Sequence, residues 1–84
     1  EFSFADDIHS IEDLQVGMEV PGLVTNITAF GAFVDLGVHE NGLIHVSQMG
    51  RRDGKVTLKL HQHVTVKVIG VDLDRRRISL RLVR

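Results

Sequence analysis

The tightest constraint on what this chain can fold into is a period of two. In Arg77-Ile78-Ser79-Leu80-Arg81-Leu82 polar and aliphatic residues alternate without a break, and Val64, Val66 and Val68 alternate with Thr65 and Lys67. Successive side chains on an extended backbone point to opposite faces, so each stretch has one aliphatic and one polar side and reads as a half-buried strand. A coiled coil, a helical bundle and a Rossmann unit need other periods and are excluded.

The same rule applied to Phe30-Gly31-Ala32-Phe33-Val34-Asp35-Leu36 puts Ala32, Val34 and Leu36 on one face, with Phe33 and Asp35 on the other. If the aliphatic face is buried, the chain places one of its four phenylalanines on the surface, with Phe30 and His45 close by. Aromatic rings exposed beside polar groups can stack unpaired nucleic-acid bases. Equally, the rings could close the end of a small core.

Five strands follow from a pass along the chain. Residues 1–15 read as a lead-in, with Ser10-Ile11-Glu12-Asp13-Leu14 as one capped helical turn and Asp13 at the third helical position. Residues 16–84 form the domain proper. Its first strand runs from Met18 to Ile27, with Val20, Gly22 and Val24 on one face, a bend at Gly22, and Ile27 regaining the core after a bulge. The second runs from Ala32 to Leu36. The segment Gly37–Gly42 is a hairpin turn, with Asn41-Gly42 as its turn chemistry and Gly31 and Gly37 also assigned to turns. A short third strand spans Leu43 to Val46. The longest connection, Ser47 to Gln62, carries a second helical turn around Thr57 to Leu60. His63 to Val71 and Arg77 to Leu82 complete the set, joined by the turn Asp72–Arg76. Five strands at short spacing, with one long connection after the third, match a Greek-key barrel.

Eighty-four residues make one small domain, which buries roughly 60–65% of its unfolded surface. With no cysteine, stability must come from aliphatic packing rather than from disulfides or a cysteine-based zinc site. No apolar run approaches membrane-spanning length and no signal peptide opens the chain, so a soluble cytoplasmic domain is expected. Glu1-Phe2 reads as a cloning remnant, and the ends as those of a fragment of something longer. The formal charge of −1 hides a division. Residues 1–50 hold eight acidic side chains and no Lys or Arg, whereas residues 51–84 hold all ten basic residues against Asp53, Asp72 and Asp74. Such asymmetry points to a nucleic-acid surface, unless the two halves interleave in space.

Five motifs, in order, carry a family resemblance: Gly22-x-Val24-x-x-Ile27, Phe30-Gly31-Ala32-Phe33-Val34, Gly42-Leu43-Ile44-His45-Val46-Ser47, Val66-x-Val68-x-x-Val71-Asp72 and Arg77-Ile78-Ser79-Leu80. Across residues 16–82 the chain resembles the S1-type RNA-binding domain. The resemblance implies an all-β, five-stranded antiparallel Greek-key OB-fold barrel. Phe4-Ala5-Asp6, Ile11-Glu12-Asp13-Leu14 and Gly37-Val38-His39 are similar, more narrowly, to the C-terminal domain of Tex-type transcription accessory proteins. The resemblance also implies an RNA-binding face made of Phe30, Phe33, His45, Asp72 and Arg77. Residue chemistry agrees with it: the two rings suit base stacking, His45 can stack or donate to a phosphate or 2′-hydroxyl, and Arg77 can bind phosphate bidentately. Asp72 accepts only, which suits it to orient Arg77 or to accept from a base or ribose. Secondary candidates are Lys67 and Arg81 on exposed strand faces, Asn26 in the loop entering the aromatic pair, and Arg75 and Arg76 in the last turn. Relatives usually have a longer, more helical passage where this chain has Gly50-Arg51-Arg52-Asp53-Gly54.

Catalytic patterns are missing. His61-x-His63 lacks a third ligand, His45-Val46-Ser47 lacks an orienting acid, and no glycine-rich phosphate loop precedes a helix. No cofactor or metal is expected. The expectation is therefore a non-enzymatic, monomeric module for single-stranded RNA, with single-stranded DNA as a second ligand, tethered to other domains of a parent protein. The alternative is a protein-interaction module docking a partner through the Phe30/Phe33 patch.

Overall fold

The computed structural model describes residues 8–48 and 58–83, and each alternating stretch among them forms a strand. The strands are β1 (Glu19–Thr28), β2 (Gly31–Asp35), β3 (Asn41–His45), β4 (His63–Asp72) and β5 (Arg77–Leu82). They close into one barrel in the order β1-β2-β3-β5-β4, with β4 returning to β1. Four of the five seams are antiparallel. The fifth, β3 with β5, is parallel through Gly42 opposite Ile78, Leu43 opposite Ser79 and Ile44 opposite Leu80. An all-antiparallel pattern does not anticipate this seam, which arises because the long connection after β3 carries the chain round to β4 first.

Burial follows the period of two. Val20 and Val24 of β1, Ala32 and Val34 of β2, Ile44 of β3, Val64, Val66 and Val68 of β4, and Ile78 and Leu80 of β5 all point inward and are buried. The outward files are Phe33 and Asp35 on β2, Asn41, Leu43 and His45 on β3, and Arg77, Ser79 and Arg81 on β5. The ten residues of β1 serve two partners, pairing with β4 from Glu19 to Leu23 and with β2 from Leu23 to Thr28. Gly22 sits at that handover. A bulge between Val24 and Asn26 then resets the register, so that Ile27 pairs with Ala32 and regains the inner face. Ile27 nonetheless stays 37% exposed instead of joining the core.

The described part of the lead-in packs into the same core. Ile8, Ile11 and Leu14 are buried with the barrel's aliphatic residues. A single helical turn at Ile11–Asp13 holds them there, and the Asp13 carboxylate accepts the backbone N–H of His9 (2.9 Å) and of Ser10 (3.2 Å). This is the reciprocal half of a capping box. A second helical turn, Val46–Gln48, follows β3 directly. The turn expected around Thr57–Leu60 begins outside the described residues, and Leu60-His61 forms a simple turn before β4.

Turn glycines behave differently from expectation. Gly37, at φ +87°, carries the β2–β3 turn, helped by Asp35 Oδ1 accepting its N–H at 2.9 Å. Gly42 lies inside β3, where a Cβ would run into the Leu80 side chain, so it serves packing rather than the turn. Gly31 likewise opens β2 rather than lying in a turn.

Arg76 ties three segments together. Its guanidinium donates to Glu40 Oε2 from Nε (3.1 Å) and Nη2 (2.9 Å), and Nη1 lies 3.5 Å from Glu12 Oε2. The last turn, the β2–β3 turn and the lead-in thus meet at one cation. The hydrogen bonds it donates to Glu40 hold the Arg76 pKa above its ordinary value, with the Glu40 and Glu12 charges adding to it. The acidic and basic halves of the sequence therefore do interleave here.

Two outcomes test this account. A Cβ at Gly31 would penetrate the Ile44 carbonyl, which is backbone and cannot rotate away, whereas one at Gly70 would make ordinary contact with Ser79. Gly31→Ala should therefore cost about 1–3 kcal/mol in urea denaturation and Gly70→Ala much less. The His9 and Ser10 N–H groups hold the Asp13 carboxyl below its ordinary 3.8. Its stabilisation is complete above that ordinary value and is lost as pH falls through the lower folded value. Asp13→Asn, which cannot titrate, should flatten the acid limb of thermal stability below about pH 4.

Candidate nucleic-acid interface

Barrel closure sets the outward files of β2, β3 and β5 side by side. Phe33 faces Leu43 across the β2–β3 seam, and Leu43 faces Ser79 across the parallel seam. These residues floor a concavity of about 450 Å³ lined by Phe30, Phe33, Asn41, Leu43, Arg76, Arg77, Ile78 and Ser79. Phe30 is 51% exposed and Phe33 half-buried. Their centroids lie 6.2 Å apart with ring planes at 88°, an edge-to-face pair. The contact braces both rings while leaving π surface open to solvent.

Arg77 enters the same concavity from the start of β5. It is exposed, and no described residue pairs with its guanidinium. Its neighbours are both engaged. Arg76 is held by Glu40, and Arg75 by Asp72, whose Oδ1 accepts the Arg75 N–H at 3.2 Å while Oδ2 lies 3.9 Å from Nε. The expectation that Asp72 orients Arg77 is not met. The two are register partners across β4 and β5, but the Asp72 carboxylate turns back into its own tight turn, where the Arg75 amide is nearest. Of three consecutive arginines, only Arg77 is left to offer its full set of donors to the concavity.

His45 and Asn26 flank the concavity. His45 is exposed on β3 opposite Gly31, the residue that follows Phe30 and opens β2. Its Nδ1 accepts the Ser47 backbone N–H at 3.2 Å and lies 2.9 Å from the Ser47 hydroxyl. With Nδ1 acting as acceptor, the neutral ring carries its proton on Nε2, which is left as an outward donor. Asn26 sits at the β1 bulge as the register partner of Phe33, and its Oδ1 accepts the Ile27 N–H at 3.0 Å. Lys67 and Arg81 do not line this concavity. They face each other across β4 and β5, in a separate cleft with Glu19.

Asn41, Leu43 and Ser79 line the concavity and were not among the expected site residues. Asn41 has turn chemistry in the sequence, but it opens β3 and points outward, with Nδ2 in a long contact (3.5 Å) to Thr25 Oγ1. A signal for the other two was present. Leu43 is the outward residue between Asn41 and His45, and Ser79 the one between Arg77 and Arg81.

A shelf of two rings, one unpaired guanidinium and a few hydroxyl and amide groups can stack planar groups and bind anions. Comparison with known proteins agrees with that chemistry. The S1 RNA binding domain family model matches residues 13–82. The Transcriptional accessory protein Tex of Neisseria gonorrhoeae is 49% identical over 81 residues, which is 93% of this chain and 11% of that protein. The chain thus spans about a tenth of the length of the curated relatives it matches. Among solved structures, GSP13 from Bacillus subtilis superposes with a TM-score of 0.75 at 32% identity, covering 89% of this chain and 58% of that one. A chain of the a/eIF2alpha–aDim2p–rRNA complex from Pyrococcus horikoshii OT3 gives 0.74 at 29% identity, covering 82% and 44%. On sequence and fold together, the chain belongs to the S1 RNA-binding domain family.

Proposed function

We propose that this domain is a non-catalytic module that binds single-stranded RNA with little base preference, accepting single-stranded DNA as a second ligand. It acts as a monomeric tether inside a larger cytoplasmic transcription protein of the Tex type. The observation that carries this reading is the concavity where Phe30 and Phe33 stand beside an Arg77 guanidinium that no described residue neutralises. Stacking on an aromatic ring is tolerant of base identity because every base has a π face, and Arg77 adds attraction to the backbone. His45, through Nε2, and Asn26, through its amide, supply further donors at the rim. Asp72, by accepting the Arg75 backbone N–H, and Arg75 serve the turn that presents Arg77. Membership of an RNA-binding family supports the ligand class, as does likeness to a chain from a complex that includes rRNA. As one small module among others, it would raise the local concentration of its parent on a transcript rather than bind tightly alone.

Fluorescence anisotropy with a labelled single-stranded oligoribonucleotide at several salt concentrations tests the reading. Phe33→Ala should weaken binding by about 1–3 kcal/mol, on the order of 5- to 150-fold. Arg77→Gln should make the dependence of log K on log salt shallower by about 0.7, the loss of one phosphate contact on a single strand. Absence of oligonucleotide binding at low salt, with a protein captured instead through the phenylalanine patch, would transfer the site to a protein partner.

A further inference from the structure

The outward file of β5 holds a second cation beyond Arg77. Arg81 lies four residues along the strand, about 13 Å at about 3.3 Å per residue. Ser79 stands between the two on the same file and lines the aromatic concavity. Arg81, Lys67, Glu19, Leu82 and Val83 line a separate cleft of about 290 Å³. Lys67 and Arg81 are direct partners in the antiparallel β4–β5 ladder, and Glu19 is the partner of Lys67 on its other side.

This arrangement carries an electrostatic cost. Side chains directly opposite each other in an antiparallel pair start from Cβ atoms about 4.5–5.5 Å apart, and like charges there oppose pairing. Glu19 is placed to neutralise them, yet among the described residues no ion pair joins it to either cation, and neither cation has another partner. Lys67 is half-buried as well, which raises the cost of leaving it uncompensated. Two adjacent, unneutralised cations that wall a cleft suit a bound anion. The file that links this cleft to the aromatic concavity gives the anion a source.

We propose that Lys67 and Arg81 form a second phosphodiester site, which seats the backbone of an RNA strand leaving the Phe30/Phe33/Arg77 concavity along the outer face of β5. The inference rests on the RNA-binding reading above and extends it from a single concavity to a track. Oligomers that reach only the aromatic concavity do not feel the second site. Longer ones bind more tightly and with a steeper response to salt.

The test is a length series of single-stranded oligoribonucleotides: a dinucleotide, whose one phosphodiester cannot occupy both sites about 13 Å apart, and an oligomer of about twelve nucleotides, within the range of site sizes known for such barrels. Each is titrated against the parent chain and a Lys67→Gln/Arg81→Gln variant at several salt concentrations. The variant should leave the short oligomer's affinity unchanged. For the long one it should make the salt dependence shallower by about 1.4, two phosphate contacts at about 0.7 each. Its melting temperature should stay at or above that of the parent, because a repulsive pair has been removed. Equal effects on both oligomers, no effect on the long one, or a fall in melting temperature would overturn the track. Inorganic phosphate at matched ionic strength separates the two sources of the anion. Weak competition fits a strand site, and full displacement of the long oligomer from the cleft reassigns it to free phosphate. Short-oligomer binding that persists while the length effect is missing sinks this inference alone, whereas no binding of either oligomer to the parent chain removes the RNA reading and the track with it.

Discussion

The candidate interface depends on the parallel seam between β3 and β5. Those strands lie more than thirty residues apart in sequence, and the contact between them is what brings the Leu43 position against Ser79. Without it the strands would form an open sheet in the order β3-β2-β1-β4-β5, with Leu43 on one edge strand and Arg77 on the other. Closure places the aromatic pair and the guanidinium round one concavity. The energy for holding them there comes from the opposite face of the same strands, where Ile44 and Leu80 are fully buried and each represents about 1.5–3 kcal/mol of apolar burial. Core and site are two sides of one pleat.

Three consecutive arginines show how local geometry divides identical chemistry. Arg75 lies within its own turn, in reach of Asp72. Arg76 adopts a left-handed backbone (φ +56°), and its side chain meets Glu40 and Glu12. Arg77 begins β5, so the pleat aims it outward beside the rings. Composition counts three positive charges at this turn. The fold clamps Arg76 on two carboxylates, leaves Arg75 in a long exposed contact with Asp72, and sets Arg77 in the concavity.

What was legible in the sequence was whatever has a short period. The strands and their inward faces follow from alternation, and so does the outward placement of Phe33, Arg77 and Arg81. The family motifs then supply the barrel. What was not legible depends on contacts distant in sequence. The Arg76–Glu40 clamp joins residues thirty-six apart, and nothing local distinguishes Arg76 from its neighbours. Asn41-Gly42 has the composition of a turn, yet the Leu80 side chain of the neighbouring strand fills the space a Cβ at Gly42 would need, which gives Gly42 a packing role inside β3 and leaves Asn41 on its outward face. Asp72 offered two partners at similar sequence distance, and the tightness of the turn, invisible in a linear reading, chose Arg75.

The edge-to-face geometry of Phe30 and Phe33 has a bearing on duplexes. Two planar heterocycles that each lie flat on one of these rings must sit at close to a right angle to each other. Neighbouring bases in a paired helix are kept parallel by the column they belong to and cannot make that corner. On the proposed reading, in which both rings stack bases, the angle between two benzyl groups disfavours double-stranded nucleic acid, and it requires no contact that reads a base edge.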